Sequence, residues 1–209
     1  MRIVKKSANL EKFKLIPVAM ELDCKETEVT VEKNTMVFVG GMQAFFNRDA
    51  VLYFCRDIFP LILKKNPEAR LIIVGSTQGT EIEQLDSSPN ITVTGAVKDV
   101  KPYIEKSALY VAPLRIGTGI KTKILEAMAL GKAIITTSVG VQGLNIENNV
   151  HICVEDDPVK FAGKALEMLN NPELCRITGQ RAKDYFDKNH NFESASKKIL
   201  EVYKSIQID

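Results

Sequence analysis

Long apolar segments are absent from this sequence of 209 residues. No run approaches the roughly 20 consecutive apolar residues that a transmembrane helix requires. The first ten residues, MRIVKKSANL, carry charge, but the apolar stretch of a signal peptide does not follow them. The sequence therefore predicts neither secretion nor membrane insertion, and leaves peripheral contact with the inner face of a membrane open.

Cysteine pairs and histidines are also scarce. The four cysteines lie far apart without a CxxC pair, and only two histidines accompany them. This pattern favours neither a zinc site nor a disulfide framework, so we expect no metal and no cofactor. Cys55 and Cys153 lie within apolar runs, which predicts buried, reduced thiols and a cytoplasmic location.

Charge of one sign does not dominate either. The formal net charge is +2 and the lysines are scattered, so the concentrated basic stripe of a nucleic-acid-binding protein is missing. Hydrophobic residues make up 45% and charged residues 26%, the balance of a folded globular chain. A chain of this length can build one substantial core, and any anion must be bound locally.

Short apolar runs, rich in β-branched residues, recur along the chain and predict strands. They are MVFVGG (36–41), LIIVGS (71–76), ITVTGA (91–96), LYVAPL (109–114) and AIITTS (133–138), with a sixth expected at 150–154. Because these runs are apolar without alternation, both faces of each strand should be covered, as in a parallel sheet between helices. The sequence therefore predicts an α/β fold with a Rossmann-like, doubly wound parallel sheet.

Helical periodicity fills the gaps between the runs. A first helix, with Asn47 or Asp49 as its cap, should end near residue 66, and a strong helix over 121–130 should close at Gly131. Asp157 and Pro158 signal the start of another helix, and two more are expected at 172–188 and 192–206.

The residues that follow each strand are the candidate binding site, because ligands of open parallel sheets lie at the carboxyl ends of the strands. Gly40 and Gly41 follow the first strand and could point amide N–H groups at an anion. An unliganded tight turn is the equal alternative.

A richer candidate follows the fourth strand. Gly117, Thr118 and Gly119 form a loop that leads into the strong helix, and Arg115 and Lys121 add positive charge beside it. Unpaired amides at a helix start favour a phosphate, and Thr118 could cap the helix.

Glu126 is the only charged residue in the segment ILEAMAL of that helix. A carboxylate in such surroundings could accept hydrogen bonds from the two hydroxyls of a ribose whose phosphates rest at the helix start. The alternative is a solvated glutamate on the outer face. Lys123 is expected to face solvent, because it cannot share a helix face with Lys121.

Several segments, in order, resemble the carboxyl-terminal domain of GT-B fold glycosyltransferases of family 4, also called group 1. These are VFVGGM (37–42), PEARLIIVGS (67–76) and, most specifically, the block at 91–144 that contains LRIGTGIKTKILEAMALGK. The resemblance covers about residues 14–206. It implies an initial strand and interdomain linker over 1–35, a nucleotide-sugar-binding domain over 36–190 and a crossover helix over 191–209.

The resemblance also implies roles for single residues. Arg115, Lys121 and Glu126 would act in catalysis, with Glu126 holding the ribose and the two cations facing the diphosphate. The family often has a second glutamate eight positions before the first, and Thr118 stands there in this chain. The implied donor-binding residues are Gly40, Gly41, Gly95, Ala96, Val97, Gly117, Thr118, Gly119 and Gly140.

The implied reaction is transfer of a sugar, of the hexosyl type and with retention, from a nucleoside-diphosphate sugar to an acceptor in polysaccharide or glycoconjugate synthesis. An amino-terminal acceptor-binding domain or subunit would be the partner, and the isolated domain would be inactive or weak. The exposed face of the last helix would instead allow a homodimer. Two other functions stay open, a noncatalytic module that completes an acceptor-binding subunit and a nucleotide-sugar epimerase of GT-B fold.

Overall fold

The computed structural model describes residues 16–21 and 29–205. These residues fall into two compact units, one made of 29–186 and the other of 16–21 with 187–205. Cys24 and most of the predicted initial strand and linker lie outside the described residues.

Six parallel strands form the sheet of the larger unit, in the order β3-β2-β1-β4-β5-β6. The strands are β1 (Glu32–Val39), β2 (Arg70–Val74), β3 (Ile91–Val93), β4 (Ser107–Ala112), β5 (Ile134–Thr136) and β6 (Cys153–Val154). In the centre, Val37 pairs with Ile72 of β2 and with Tyr110 of β4. The predicted doubly wound parallel sheet is confirmed, and its order changes direction between β1 and β4, the point where such folds bind ligands.

Strand β1 begins at Glu32, inside the range predicted to be linker. Its first residues are polar and exposed, and the register with β4 shifts between Glu32 and Met36. Asn34 adopts a φ of 61° at this irregularity. A search for apolar runs detects only the buried part of the strand, because the pairing of the polar part depends on β4.

The described residues contain seven α-helices. They are α1 (Phe45–Tyr53), α2 (Phe59–Leu63), α3 (Lys101–Lys106), α4 (Thr122–Ala129), α5 (Pro158–Leu169), α6 (Pro172–Asn189) and α7 (Phe192–Ser205). A π-helical turn, Phe54–Ile58, joins α1 to α2, and a 3-10 helix spans Glu81–Ser87. Phe161 of α5 packs edge-on against Phe54, with ring centroids 6.1 Å apart, and anchors α5 on the π-helical turn.

The predicted caps of the first helix are wrong. Ala44 occupies the N-cap position without a side-chain hydrogen bond, so both Asn47 and Asp49 lie inside α1. Each side chain contacts a residue far along the chain, as described below, and that tertiary contact outweighs the local capping preference.

Two other helix ends agree with the sequence. Gly131 follows α4 with a φ of 64°, and its N–H bonds the Met128 carbonyl while the Lys132 N–H bonds that of Ala127. This pair of bonds is a Schellman motif, which favours glycine. At the start of α5, the Asp157 side chain accepts a hydrogen bond of 2.9 Å from the Lys160 amide.

The thiol of Cys153 is buried as predicted, whereas Cys55 is only partly buried. Within residues 16–21 and 29–205, none of the helices combines the length and apolarity needed to cross a bilayer. Helix α7 exposes Phe192, Leu200 and Tyr203. A homodimer through this helix stays a prediction.

Candidate functional site

The turn after β1 is held tightly against the turn after β2. The Gly40 N–H donates a 2.9 Å hydrogen bond to the Val74 carbonyl, so this amide is not open to an anion as the sequence suggested. A Cβ atom on Gly75, whose φ is 134°, would lie 2.3 Å from the Gly40 carbonyl oxygen. The glycines therefore allow two backbones to touch, and the Gly41 amide is the one that donates to no described residue.

Lys123 lies against this turn and does not face solvent, which corrects the sequence-based expectation. Its ammonium group bonds the Asn47 side-chain oxygen at 2.5 Å and lies 4.6 Å from the centroid of the Phe38 ring. A Cβ atom on Gly40 would lie 2.6 Å from the ammonium nitrogen. Burial lowers the pKa of Lys123 to about 7, and the negative charge of Glu126 opposes that shift.

The expectation was wrong because it did not consider which residues share a helix face with Lys123. Comparison with Lys121 alone places Lys123 on another side of the helix, but residues three apart share a face, and Lys123 stands three before Glu126. That face packs toward the end of β1. Asn47 was also missed as a site residue, and its side-chain nitrogen donates to the Gly41 carbonyl at 2.9 Å while its oxygen receives Lys123.

The loop after β4 presents a row of unpaired amides. Gly117 and Gly119 have φ values of 138° and 69°, conformations that glycine adopts without strain. The backbone N–H groups of residues 117–123 donate no hydrogen bond to any described residue. Helix α4 begins only at Thr122, with Lys121 as its N-cap, so Thr118 is an exposed loop residue and does not cap the helix.

The two cations beside this loop differ in their partners. Lys121 folds back over the loop and donates a 2.7 Å hydrogen bond to the Gly119 carbonyl. Arg115 points to α1, where it binds both carboxylate oxygens of Asp49 and stacks 4.5 Å from the Tyr53 ring centroid. Lys121 is thus available at the loop, whereas the charge of Arg115 is already paired. The catalytic role of either residue stays a prediction.

Glu126 is half-buried and lies on the inner side of α4, so the alternative of a fully solvated glutamate does not describe it. Burial raises the pKa of Glu126, the charge of Asp99 raises it further, and Lys123 lowers it. Asp99 belongs to the loop after β3, which also contains Gly95, Ala96 and Val97. The sheet therefore brings the predicted base-binding loop close to the predicted ribose-binding carboxylate.

The loop after β5 completes this edge of the sheet. A Cβ atom on Gly140 would lie 1.9 Å from the Thr136 hydroxyl oxygen, so packing alone requires this glycine. Gly143, with a φ of 85°, packs on Ile120 of the glycine loop. Donor contact by Gly140 stays a prediction, whereas the neighbouring positions of the two loops are a fact of the fold.

The arrangement suits an anion with a sugar attached. Unpaired amides and Lys121 lie at the start of α4, Lys123 lies at the turn after β1, and a half-buried carboxylate stands one turn along α4. Among the residues that the structure describes, no three His, Cys, Asp or Glu side chains are close enough to hold a metal ion.

Comparison with known proteins identifies the family of this chain. Residues 33–171 match the family described as "Glycosyl transferases group 1". The chain belongs to this family. Among curated relatives, an uncharacterized 44.6 kDa protein in the cps region of Klebsiella pneumoniae is 22% identical over 173 residues, which cover 79% of this chain and 44% of that protein.

An uncharacterized glycosyltransferase of Methanocaldococcus jannaschii is 23% identical over 194 residues, which cover 88% of this chain and 48% of that protein. The chain thus spans about half the length of these two relatives. Among solved structures, WaaG, a glycosyltransferase involved in lipopolysaccharide biosynthesis, superposes with a TM-score of 0.69 at 16% identity, over 99% of this chain and 60% of WaaG.

The Anabaena protein HepE in complex with UDP superposes with a TM-score of 0.67 at 13% identity, over 83% of this chain and 49% of HepE. At these identities the structural similarity shows the fold. The fold is that of the Rossmann-like carboxyl-terminal half of a GT-B glycosyltransferase.

Proposed function

We propose that this chain is the nucleotide-sugar-binding domain of a retaining glycosyltransferase of hexosyl type. The observation that carries the proposal is the position of Lys123, partly buried beside the turn after β1 and one helical turn from Glu126. A partly desolvated ammonium without a bonded carboxylate is unfavourable, and a diphosphate bound at the unpaired amides would compensate it.

In this proposal the diphosphate rests on the amides of the 117–123 segment, with Lys121 and Lys123 on either side. Glu126 accepts hydrogen bonds from the ribose hydroxyls, and the loop containing Gly95, Ala96 and Val97 borders the base. When the sugar leaves, negative charge grows on the diphosphate, and cations and amides already in place stabilise it without reorganisation. The substrate is the nucleoside-diphosphate sugar, and no cofactor takes part.

The comparisons support this assignment through the proteins they name. HepE was crystallised with UDP and with UDP-glucose, and TarM with UDP. The Klebsiella relative belongs to a cps region, and WaaG acts in lipopolysaccharide biosynthesis. We therefore place the chain in polysaccharide or glycoconjugate synthesis, in the cytoplasm at the inner face of the membrane, with an acceptor-binding domain or subunit as its partner. Alone it should bind donor and transfer little, because transfer requires a positioned acceptor.

Calorimetric titration with UDP, GDP and ADP tests donor binding. One of the three should bind, and the corresponding monophosphate should bind about tenfold more weakly, because it lacks charge at the loop. The matching 2′-deoxynucleotide tests Glu126 directly. Wild-type protein should prefer the ribonucleotide, and Glu126→Gln should remove that preference while the protein stays folded.

Absence of binding for all three nucleotides would overturn the proposal in favour of the noncatalytic partner module. An unchanged ribose preference in Glu126→Gln would overturn the role of that carboxylate only.

A further inference from the structure

The amino-terminal edge of the sheet contains a cavity of about 440 Å³, away from the strand ends that form the candidate donor site. Its walls come from the starts of β1 and β4 and from the turn between α4 and β5. The end of α5 and residues 172–183 of α6 complete them. Its volume lies within the range of about 300–1,000 Å³ that is typical of small-molecule sites. The site described above uses none of the residues that line it.

The floor of this cavity is apolar. Ala108, Leu130, Ala133, Met168 and Leu169 line it, and the last three are buried. An apolar floor in an open cavity favours an apolar ligand, since burial of apolar surface is the main driving force for binding there.

The rim carries positive charge. Lys33 and Arg176 are exposed residues that line the cavity, and Lys183 of α6 joins them. Arg176 is paired with Glu173 on the surface of α6, and exposed pairs of this type are weak and exchange readily. No Asp or Glu belongs to the described residues that line the cavity. The charge is therefore complementary to an anion above an apolar chain.

The residues that line the cavity do not suit a nucleotide. Within the described part of the chain, it contains no aromatic side chain to stack on a base and no carboxylate to hold a ribose. Behind the cavity, α6 packs closely on the α4–β5 turn, because a Cβ atom on Gly179 would lie 2.0 Å from the Gly131 carbonyl oxygen. Lys132 closes the floor by donating to the carbonyls of Glu105 and Ser107, at 2.9 and 2.6 Å.

We propose that this cavity binds a single-chain anionic amphiphile, with the alkyl chain on the apolar floor and the acid group at the rim formed by Lys33 and Arg176. The site is independent of the proposed donor site and does not rest on it. The class of ligand is an alkyl phosphate or an alkyl carboxylate, and two-chain lipids are too large for the volume.

Calorimetric titration with decyl phosphate, below the concentration at which it forms micelles, tests the proposal. We expect saturable binding at one site. Decyltrimethylammonium has the same chain and the opposite charge and should bind about tenfold more weakly, and inorganic phosphate, which has no chain, should not bind measurably. Equal binding of the ammonium compound, or no saturable binding of decyl phosphate, would overturn the proposal.

Variants locate the bound molecule. Ala108→Leu fills the cavity and should weaken decyl phosphate binding by about tenfold, and the double variant Lys33→Gln, Arg176→Gln should weaken it several-fold. Lys64→Gln removes an exposed lysine elsewhere and is the matched control. Should Ala108→Leu fail to fold, Ala133→Val supplies the same test.

UDP, GDP and ADP are titrated into the same samples. Because the two sites are separate, the cavity variants should keep the nucleotide affinity of the wild type. If Ala108→Leu bound decyl phosphate as tightly as the wild type, the cavity site would be refuted, regardless of the nucleotide affinities.

Discussion

The two ends of helix α4 each hold a lysine, in opposite electrostatic surroundings; Lys132 is buried and Lys123 is partly buried. Lys132 lies just beyond the carboxyl end, where the helix dipole favours a cation, and it bonds two carbonyl oxygens. Lys123 lies in the first turn, where the dipole disfavours a cation, and it bonds one amide oxygen. Burial lowers the pKa of both groups, to about 8 for Lys132 and about 7 for Lys123.

The difference separates a lysine with a structural role from the lysine that we propose contacts the ligand. Lys132 fastens the α4–β5 turn to the junction of α3 and β4, and this role explains its burial. Lys123 is held against the dipole, beside amides that donate to no described residue. A bound anionic ligand would therefore stabilise the Lys123 ammonium more than it would stabilise that of Lys132.

The largest expected effect is on ligand binding by Lys123→Met. Affinity for the preferred nucleoside diphosphate should fall by about 100-fold, as is typical when a buried charge contact is removed. Thermal stability without ligand should not fall, because the variant also removes a desolvated charge. Calorimetry and thermal denaturation measure the two quantities. If Lys123→Met lost stability but kept the nucleotide affinity of the wild type, Lys123 would be the structural lysine.

Lys132→Met should behave in the opposite way. The free energy of unfolding should fall by about 2.5 kcal/mol, since two buried carbonyls lose their partner. Nucleotide affinity of the folded protein should be unchanged. Denaturant titration gives the first value and calorimetry the second, and a nucleotide defect as large as that of Lys123→Met would remove the contrast between the two ends.

Gly179→Ala should destabilise the protein by about 2 kcal/mol, because the new methyl group overlaps the Gly131 carbonyl and α6 must shift. Gly163 supplies the matched control, since a Cβ atom there meets nothing within 4 Å. Gly163→Ala in α5 should therefore be neutral or stabilising. Equal stability of the two variants, measured by denaturant unfolding, would show that α6 is not fixed at this contact.

Nucleotide affinity should depend on pH through Lys123. Its pKa of about 7 lies below the ordinary value, so the ammonium is charged below pH 7 and loses its proton as the pH rises. Affinity should then fall by up to about tenfold between pH 7 and pH 8.5, a range above the second phosphate pKa of about 6. Lys123→Met should give a flat profile, and calorimetry across this range checks both.

The lowered pKa of Lys123 has the opposite effect on folding without ligand, because stability rises as the pH increases. In the unfolded chain the lysine titrates near its ordinary value, so unfolding takes up a proton between that value and pH 7. The unfavourable contribution of Lys123 to stability is therefore complete below pH 7 and is relieved as the pH rises.

Arg115→Gln should have the smallest effect. Because Arg115 is paired with Asp49, its loss should change nucleotide affinity by less than about threefold. Lys121→Gln is the comparison, and it should weaken binding more because its ammonium lies over the loop. A defect of Arg115→Gln that exceeds that of Lys121→Gln would show that the arginine leaves Asp49 when ligand binds.

Much of the fold follows from local patterns. The apolar runs predict all six strands, and Gly131 and Asp157 predict the helix ends they cap. The caps of α1 and the start of β1 were missed, because Asn47 and Glu32 make their contacts with residues that are distant in the sequence. Periodicity carries no information about such partners.

By itself, the sequence determined the order of strands and helices, the parallel sheet, and the placement of the glycine loop and Glu126 at one edge of it. Each of these features depends on patterns within a few turns of chain, or on the rule that ligands of open parallel sheets lie at the carboxyl ends of the strands. Only the tertiary structure decided which lysine packs against the turn after β1 and which cation is already paired. Lys123 reaches Asn47 across 76 positions and Arg115 reaches Asp49 across 66, and these contacts exist only after the sheet brings β1 and β4 together.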